Sequence, residues 1–307
     1  MKEIIVIFGG RVYERDDVLG AVNDIQKELN MRADSVQLLD ISMEKERNKI
    51  RFLNKNIKIV IVDPYYEEKG ETKDIRFDLD ENNLRYNCSE LTAANICADK
   101  QLSKEFFKRC GILVPAAVVI PQEFSEFWVD GVIRLLGLPL IIKPLNEGNG
   151  IGIYMCEKKE DILFCYKKLK GHYKNIILEQ YLNGIDITVG VHTKGGKVIS
   201  LEPIELELMD DKLYDNKAKS HPERVMRHIP ARISTIIRKR LMEDSQNLYM
   251  KIGCKGFARI DYRLCNTKIY GLEINAAPAL GKDEHIARCY KYEGKTYEDF
   301  LDDLLEE

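Results

Sequence analysis

The sequence predicts an α/β protein of two or three packed units, and three observations carry that prediction. Ile4-Ile5-Val6-Ile7-Phe8 is a continuous apolar run ending in Gly9-Gly10, the pattern of a parallel strand buried on both faces. A helix follows over residues 16–29, where Val18, Ala21, Val22, Ile25 and Leu29 recur at helical spacing. Near the other end, residues 256–264 and 270–275 alternate apolar with polar types on either side of Cys265-Asn266-Thr267-Lys268, which reads as a β-hairpin. At 307 residues the chain exceeds one typical core and has material for several.

Composition narrows the class. With 45% hydrophobic and 32% charged residues and a net charge of −3, nothing points to nucleic acid or an anionic membrane as partner. No apolar run reaches membrane-spanning length, and Met1-Lys2-Glu3 leads straight into a strand, so no signal peptide is expected. The eight cysteines form no Cys-x-x-Cys pair and read as reduced, mostly buried small hydrophobes. A cytoplasmic enzyme is the expectation.

The other elements follow in order. Strands are expected at residues 35–41 and 57–62, completing an open N-terminal α/β unit. A long helix should end at Cys110, stopped by Gly111. Residues 114–120, 138–142 and 176–182 read as strands, 197–208 as strand-like, and 233–252 as an amphipathic helix. The strand-Gly-Gly-helix start invites a dinucleotide-site reading, and with it an oxidoreductase, but the full Gly-x-Gly-x-x-Gly fingerprint is absent.

The hairpin carries the chemistry. Side chains two apart on a strand share a face, so Arg259 joins Asp261 and Glu273 joins Asn275. Paired strands would put two carboxylates, a carboxamide oxygen and a guanidinium on one sheet face. That is an oxygen ligand set suited to Mg²⁺; an ordinary solvated face of charges is the plain alternative.

Gly256-Phe257-Ala258-Arg259-Ile260-Asp261-Tyr262-Arg263-Leu264 with Leu272-Glu273-Ile274-Asn275-Ala276-Ala277-Pro278 resembles the metal-binding core of the ATP-grasp superfamily, and within it the D-alanine–D-alanine ligase branch. The resemblance implies three α/β domains (residues 1–88, 89–181 and 182–307) with ATP between the second and third. It implies that Asp261, Glu273 and Asn275 hold two Mg²⁺ ions, Mn²⁺ being an acceptable substitute, and that Arg259 steadies charge at an acyl phosphate.

Other segments extend it. Phe8-Gly9-Gly10-Arg11-Val12-Tyr13-Glu14 is similar to a family motif whose Glu meets the first substrate's amino group, which implies that role for Glu14; a simple helix-dipole role stays open. Lys100 and Lys143 match the two phosphate-side lysines. The stretch Asn146-Glu147-Gly148-Asn149-Gly150-Ile151-Gly152 resembles the loop that closes over the triphosphate, implying contacts from Glu147, Asn149 and Gly150; its glycines also suit a hairpin turn. By the same resemblance Glu179 and the Leu182 backbone would meet adenine and Asp186 the ribose. Residues 214–220 resemble a lid whose Lys219 reaches the γ-phosphate.

The chain also departs from the family. Asp63-Pro64 stands where His-Gly is usual, Asn149 replaces a Ser, Ser220 a Tyr, Ala279 a Gly, and Glu284 a small polar residue. The expectation is therefore an ATP-dependent, ADP-forming carboxylate–amine ligase acting through an acyl phosphate on a substrate pair other than two D-alanines. Its substrates would be an amino acid or other carboxylate plus an amine acceptor. Transfer to a carrier protein or natural-product amine, a non-catalytic ATP-binding role and a homodimer stay open.

Overall fold

The protein is described by a computed structural model covering residues 3–11, 14–33, 35–69, 71–145, 150–209, 213 and 221–306. The first third runs β1 (Glu3–Phe8), α1 (Arg15–Leu29), β2 (Ser35–Asp40), α2 (Glu44–Arg47), β3 (Lys58–Asp63), the hairpin β4 (Tyr65–Glu68) and β5 (Glu71–Asp74), then α3 (Arg76–Glu81). Its sheet is parallel in the order β2-β1-β3. The uninterrupted apolar run of β1 has its explanation in two cores. Ile4, Val6 and Phe8 pack with the apolar stripe of α1, while Ile5 and Ile7 face Ile50, Ile75, Leu79 and Leu84 on the other side.

The Gly9-Gly10 turn also has a structural role. A Cβ on Gly9 would lie 2.0 Å from the Tyr65 carbonyl oxygen, and the Gly10 N–H donates to that same oxygen at 2.9 Å. The glycines let the segment after β3 close against β1.

Next come α4 (Leu91–Ala98), α5 (Lys100–Arg109), β6 (Ala117–Val119), α6 (Glu126–Leu136), β7 (Leu140–Pro144), β8 (Tyr154–Cys156), α7 (Lys159–Leu169) and β9 (Ile176–Gln180). Their strands form an antiparallel sheet in the order β6-β9-β7-β8, with α6 and α7 contributing Val129, Val132, Ile162, Cys165 and Leu169 to its core. Helices α4 and α5 bury Ala93, Ala94, Cys97 and Phe107 in a different core, that of the C-terminal sheet.

That last region contains β10 (Ile185–Lys194), β11 (Lys197–Ser200), β12 (Ile204–Leu208), β13 (Val225–His228), α8 (Thr235–Ile252), β14 (Ala258–Cys265), β15 (Lys268–Asn275), α9 (His285–Tyr292) and α10 (Tyr297–Leu305). The sheet order is β13-β12-β10-β14-β15, with β11 also paired to β10. The strand-like stretch 197–208 divides in two, because Pro203 has no N–H for a ladder, and the Leu201 N–H returns to the Gly190 carbonyl at 2.8 Å. Helix α8 starts at Thr235 rather than 233, since the Ser234 hydroxyl caps it by accepting from the Ile237 N–H.

Candidate active site

The hairpin forms as its alternation requires. Asp261 stands directly opposite Glu273 and Arg259 opposite Asn275. After Asp261 the register shifts, Tyr262 pairing with Gly271, so Leu272 is the extra residue of a bulge. The glycine at 271 is demanded by packing: a Cβ there would sit 2.2 Å from the Phe107 ring, and the Gly271 N–H donates to the Leu113 carbonyl at 2.8 Å.

Around these residues the charge is organised. The Arg259 guanidinium donates to both Asp261 oxygens at 3.0 and 2.9 Å, and the Thr188 hydroxyl donates to Asp261 Oδ1 at 2.7 Å. Asn275 Oδ1 accepts from the Ala277 N–H at 3.0 Å. Among the described residues no group of three His, Cys, Asp or Glu gathers as a closed cage. Two facing carboxylates and an amide oxygen nonetheless fit Mg²⁺, which takes few protein ligands and fills its shell with water and phosphate.

A second cluster lies on the antiparallel sheet. Glu179 on β9 is 4% exposed and holds two ammonium groups: Lys143 Nζ donates to Oε1 at 2.7 Å, and Lys104 Nζ donates to Oε2. Burial alone would raise the Glu179 carboxyl, but Lys143 and Lys104 outweigh it and hold it below the usual carboxylate range. Burial lowers the Lys104 ammonium below its ordinary value, with Glu179 opposing. One helical turn before Lys104, the buried Lys100 donates to the Leu145 carbonyl at 3.2 Å.

Between the clusters opens a cleft of about 870 Å³, mouth included, lined by Lys143, Gly150, Glu179, Leu182, Asp186, Asp261 and Glu273 together with apolar Ile141, Ile153, Leu206 and Leu272. Seven residues picked from sequence thus converge on one cavity. At one end Arg263 donates from Nε to the Leu182 carbonyl at 2.9 Å and pairs through Nη1 with Asp186 at 2.5 Å, the two facing each other across β10 and β14. Lys100, Arg259, Asn275 and Glu14 are not part of the cleft lining. Glu147, Asn149 and Lys219 lie outside the described residues, as does the stretch 214–220.

The family model described as D-ala D-ala ligase C-terminus matches residues 106–306. The chain belongs to the D-alanine–D-alanine ligase family. Among curated relatives, the D-alanine–D-alanine ligase of Pelagibacter ubique is 29% identical over 313 residues, covering 100% of this chain and 98% of its own. That of Coprothermobacter proteolyticus is 26% identical over 306 residues, with 99% of each chain covered. Among solved structures, a D-alanine–D-alanine ligase from Bacillus anthracis complexed with ATP superposes with a TM-score of 0.79 at 20% identity, covering 99% of this chain and 95% of that one. A D-Ala:D-Ser ligase from Enterococcus faecalis gives 0.79 at 22%, covering 99% and 98%. The fold is therefore ATP-grasp, and this member of the family is an ATP-dependent ligase. The expectation of a substrate pair other than two D-alanines draws no support from the two curated relatives, which carry the D-alanine–D-alanine ligase name.

Three residues of this ligase escaped the sequence reading. Lys104 follows Lys100 by four positions on one helix face, a spacing that could have paired them. Arg263 continues the Arg259–Asp261 alternation but reads as an ordinary strand charge until its partners are seen. Thr188 gave no signal, because only the β10–β14 register sets it opposite Asp261.

The N-terminal positions have structural accounts too. Glu14 precedes α1 without capping it and lies 3.8 Å from Arg11. Asp63, in place of the family His, accepts from the Tyr65 N–H at 2.7 Å. Burial pushes its carboxyl up to about 6 against the lowering effects of that N–H and Arg11. Behind it the fully buried Arg76 donates to Asp74, the Tyr65 hydroxyl and the Ser89 carbonyl.

Proposed function

We propose that the protein joins two D-alanine molecules at the expense of ATP, through a D-alanyl phosphate. The observation that carries this reading is a single cleft whose lining joins the Lys143–Glu179 ion pair to the Asp261–Glu273 pair. Cationic and metal-binding walls facing across an apolar slot are what a triphosphate needs.

In this reading the adenine enters the apolar end between the second and third domains, residues 89–181 and 182–307. Asp186, steadied by Arg263, accepts from the ribose hydroxyls. Each Glu179 oxygen already accepts from a lysine, so in this reading adenine recognition rests mainly on the main chain around Leu182. Lys143 and Lys100 meet the phosphates, with Glu147, Asn149, Gly150 and Lys219 closing over them as their motifs suggest. Asp261, Glu273 and Asn275 would hold Mg²⁺, which when bound supplies charge neutralisation across the phosphates.

The first D-alanine presents its ammonium to Glu14 and its carboxylate oxygen to the γ-phosphorus. That oxygen forms the new P–O bond while the bond to the β-phosphate oxygen breaks and ADP leaves. The amine of the second D-alanine then attacks the acyl carbon. The amide forms, inorganic phosphate departs and the amine proton is lost. Arg259, tethered by Asp261, stands beside the developing negative charge. Eight free cysteines suit the reducing cytoplasm.

The test is incubation of the purified chain with ATP, Mg²⁺ and D-alanine, followed by mass spectrometry. Equimolar ADP and D-alanyl-D-alanine is the expected result. ADP release only when another amino acid or amine is supplied would overturn the substrate assignment, and no nucleotide turnover with pooled amino acids would overturn the enzymatic one.

A further inference from the structure

Glu179 has two lysine partners, yet only one of them belongs to the cleft. Lys143 lines it; Lys104 does not, lying instead behind Glu179 at 7% exposure, with its ammonium also donating to the Pro115 carbonyl at 3.3 Å. A carboxylate this buried must keep a counter-charge, because an uncompensated ion in such a place is strongly destabilising. Lys143 cannot serve as that counter-charge and also give itself wholly to a phosphate.

We infer that Lys104 is a positioning residue for nucleotide binding: it keeps Glu179 ionised and compensated, so that Lys143 is released toward the phosphates when ATP enters. The inference rests on the proposed ATP site but goes beyond it, since Lys104 touches neither nucleotide nor substrate. Without Lys104 the remaining lysine is held by Glu179, and ATP must compete with a buried ion pair for it. With Glu179 also neutral there is nothing to compete with.

The experiment is titration of ATP and of ADP, by calorimetry, into the intact wild-type chain and the variants Lys104→Met, Lys104→Arg and Lys104→Met/Glu179→Gln, with KM for ATP and kcat measured in parallel. Lys104→Met should weaken ATP binding about tenfold, raising KM for ATP far more than it lowers kcat. Lys104→Arg keeps the charge and should recover most of the affinity. The double variant should bind ATP more tightly than Lys104→Met alone.

Folding is checked by thermal melting, and the double variant serves as the control if Lys104→Met is unstable. Equal affinity in wild type and Lys104→Met, or a double variant no better than the single one, would overturn the inference. A wild-type chain that binds neither nucleotide would instead overturn the proposed site itself.

Discussion

The two walls of the cleft and the N-terminal region are built on different principles. The walls use strand registers: Asp261 opposite Glu273, Asp186 opposite Arg263, Ile141 opposite Glu179. Asp261, Asp186 and Glu179 there have cross-strand neighbours fixed by a ladder of backbone hydrogen bonds. The N-terminal region uses a helix start and a strand end, with Glu14 before α1 and Asp63 closing β3. The strand-borne wall residues resemble the family motifs, as does Glu14, whereas Asp63 at the end of β3 departs from them. Chemistry carried on paired strands is hard to alter without losing register, while chemistry carried on turns can drift.

This contrast can be broken by mutation. Asp261→Asn, Glu273→Gln and Lys143→Ala should each lower kcat for ATP-dependent coupling at least about a hundredfold, with thermal melting close to wild type. Near-normal turnover in any of them would remove that residue from the wall. Gly271→Ala should act on stability, since its methyl group meets the Phe107 ring. A cost of about 1–3 kcal/mol is expected for such overpacking, read as a lower midpoint in urea, and an unchanged midpoint would show that α5 can give way.

The N-terminal side calls for a pH experiment. Asp63 in the folded chain titrates near 6, above the ordinary 3.8, so its charged form is the disfavoured one. Its stability contribution is complete below pH 4 and is lost as pH rises through 6. Asp63→Asn should therefore gain in melting temperature relative to wild type on going from pH 4 to pH 7; parallel curves would mean the carboxyl is not shielded. The smallest effect belongs to Glu284, which precedes α9 in place of the family's small polar residue. If it repels the second D-alanine's carboxylate, Glu284→Ser should lower KM for that substrate by less than about tenfold. A rise in KM would assign Glu284 a binding role instead.

How much of this was legible in the sequence depended on the range of the cause. The hairpin face was legible because Arg259, Asp261, Glu273 and Asn275 obey a period of two, a purely local property. The bulge at Leu272 was not, because it arises from how β14 and β15 share a register. Lys143 was found through its motif, but its bond to Glu179 depends on β7 and β9 lying side by side, and Lys104 arrives from a helix packed elsewhere. The strand expected at 138–142 begins at Leu140, after Pro139, whose ring offers no donor to the ladder. Glu147, Asn149 and Lys219 were named by resemblance alone and lie outside the described residues.

The contact between Gly271 and Phe107 has a consequence for how such a chain can evolve. The two positions, on β15 and α5, share one volume, so neither is free to change by itself. A lineage that acquired a side chain at 271 would first need a smaller residue at 107. One that shrank 107 first would pass through a cavity costing about 3–5 kcal/mol, a large part of a typical domain's margin. Across descendants of this sequence the two sites should therefore change as a pair or not at all, and the helix bearing Lys100 and Lys104 keeps its seat on the strand of Glu273 and Asn275 for the same reason.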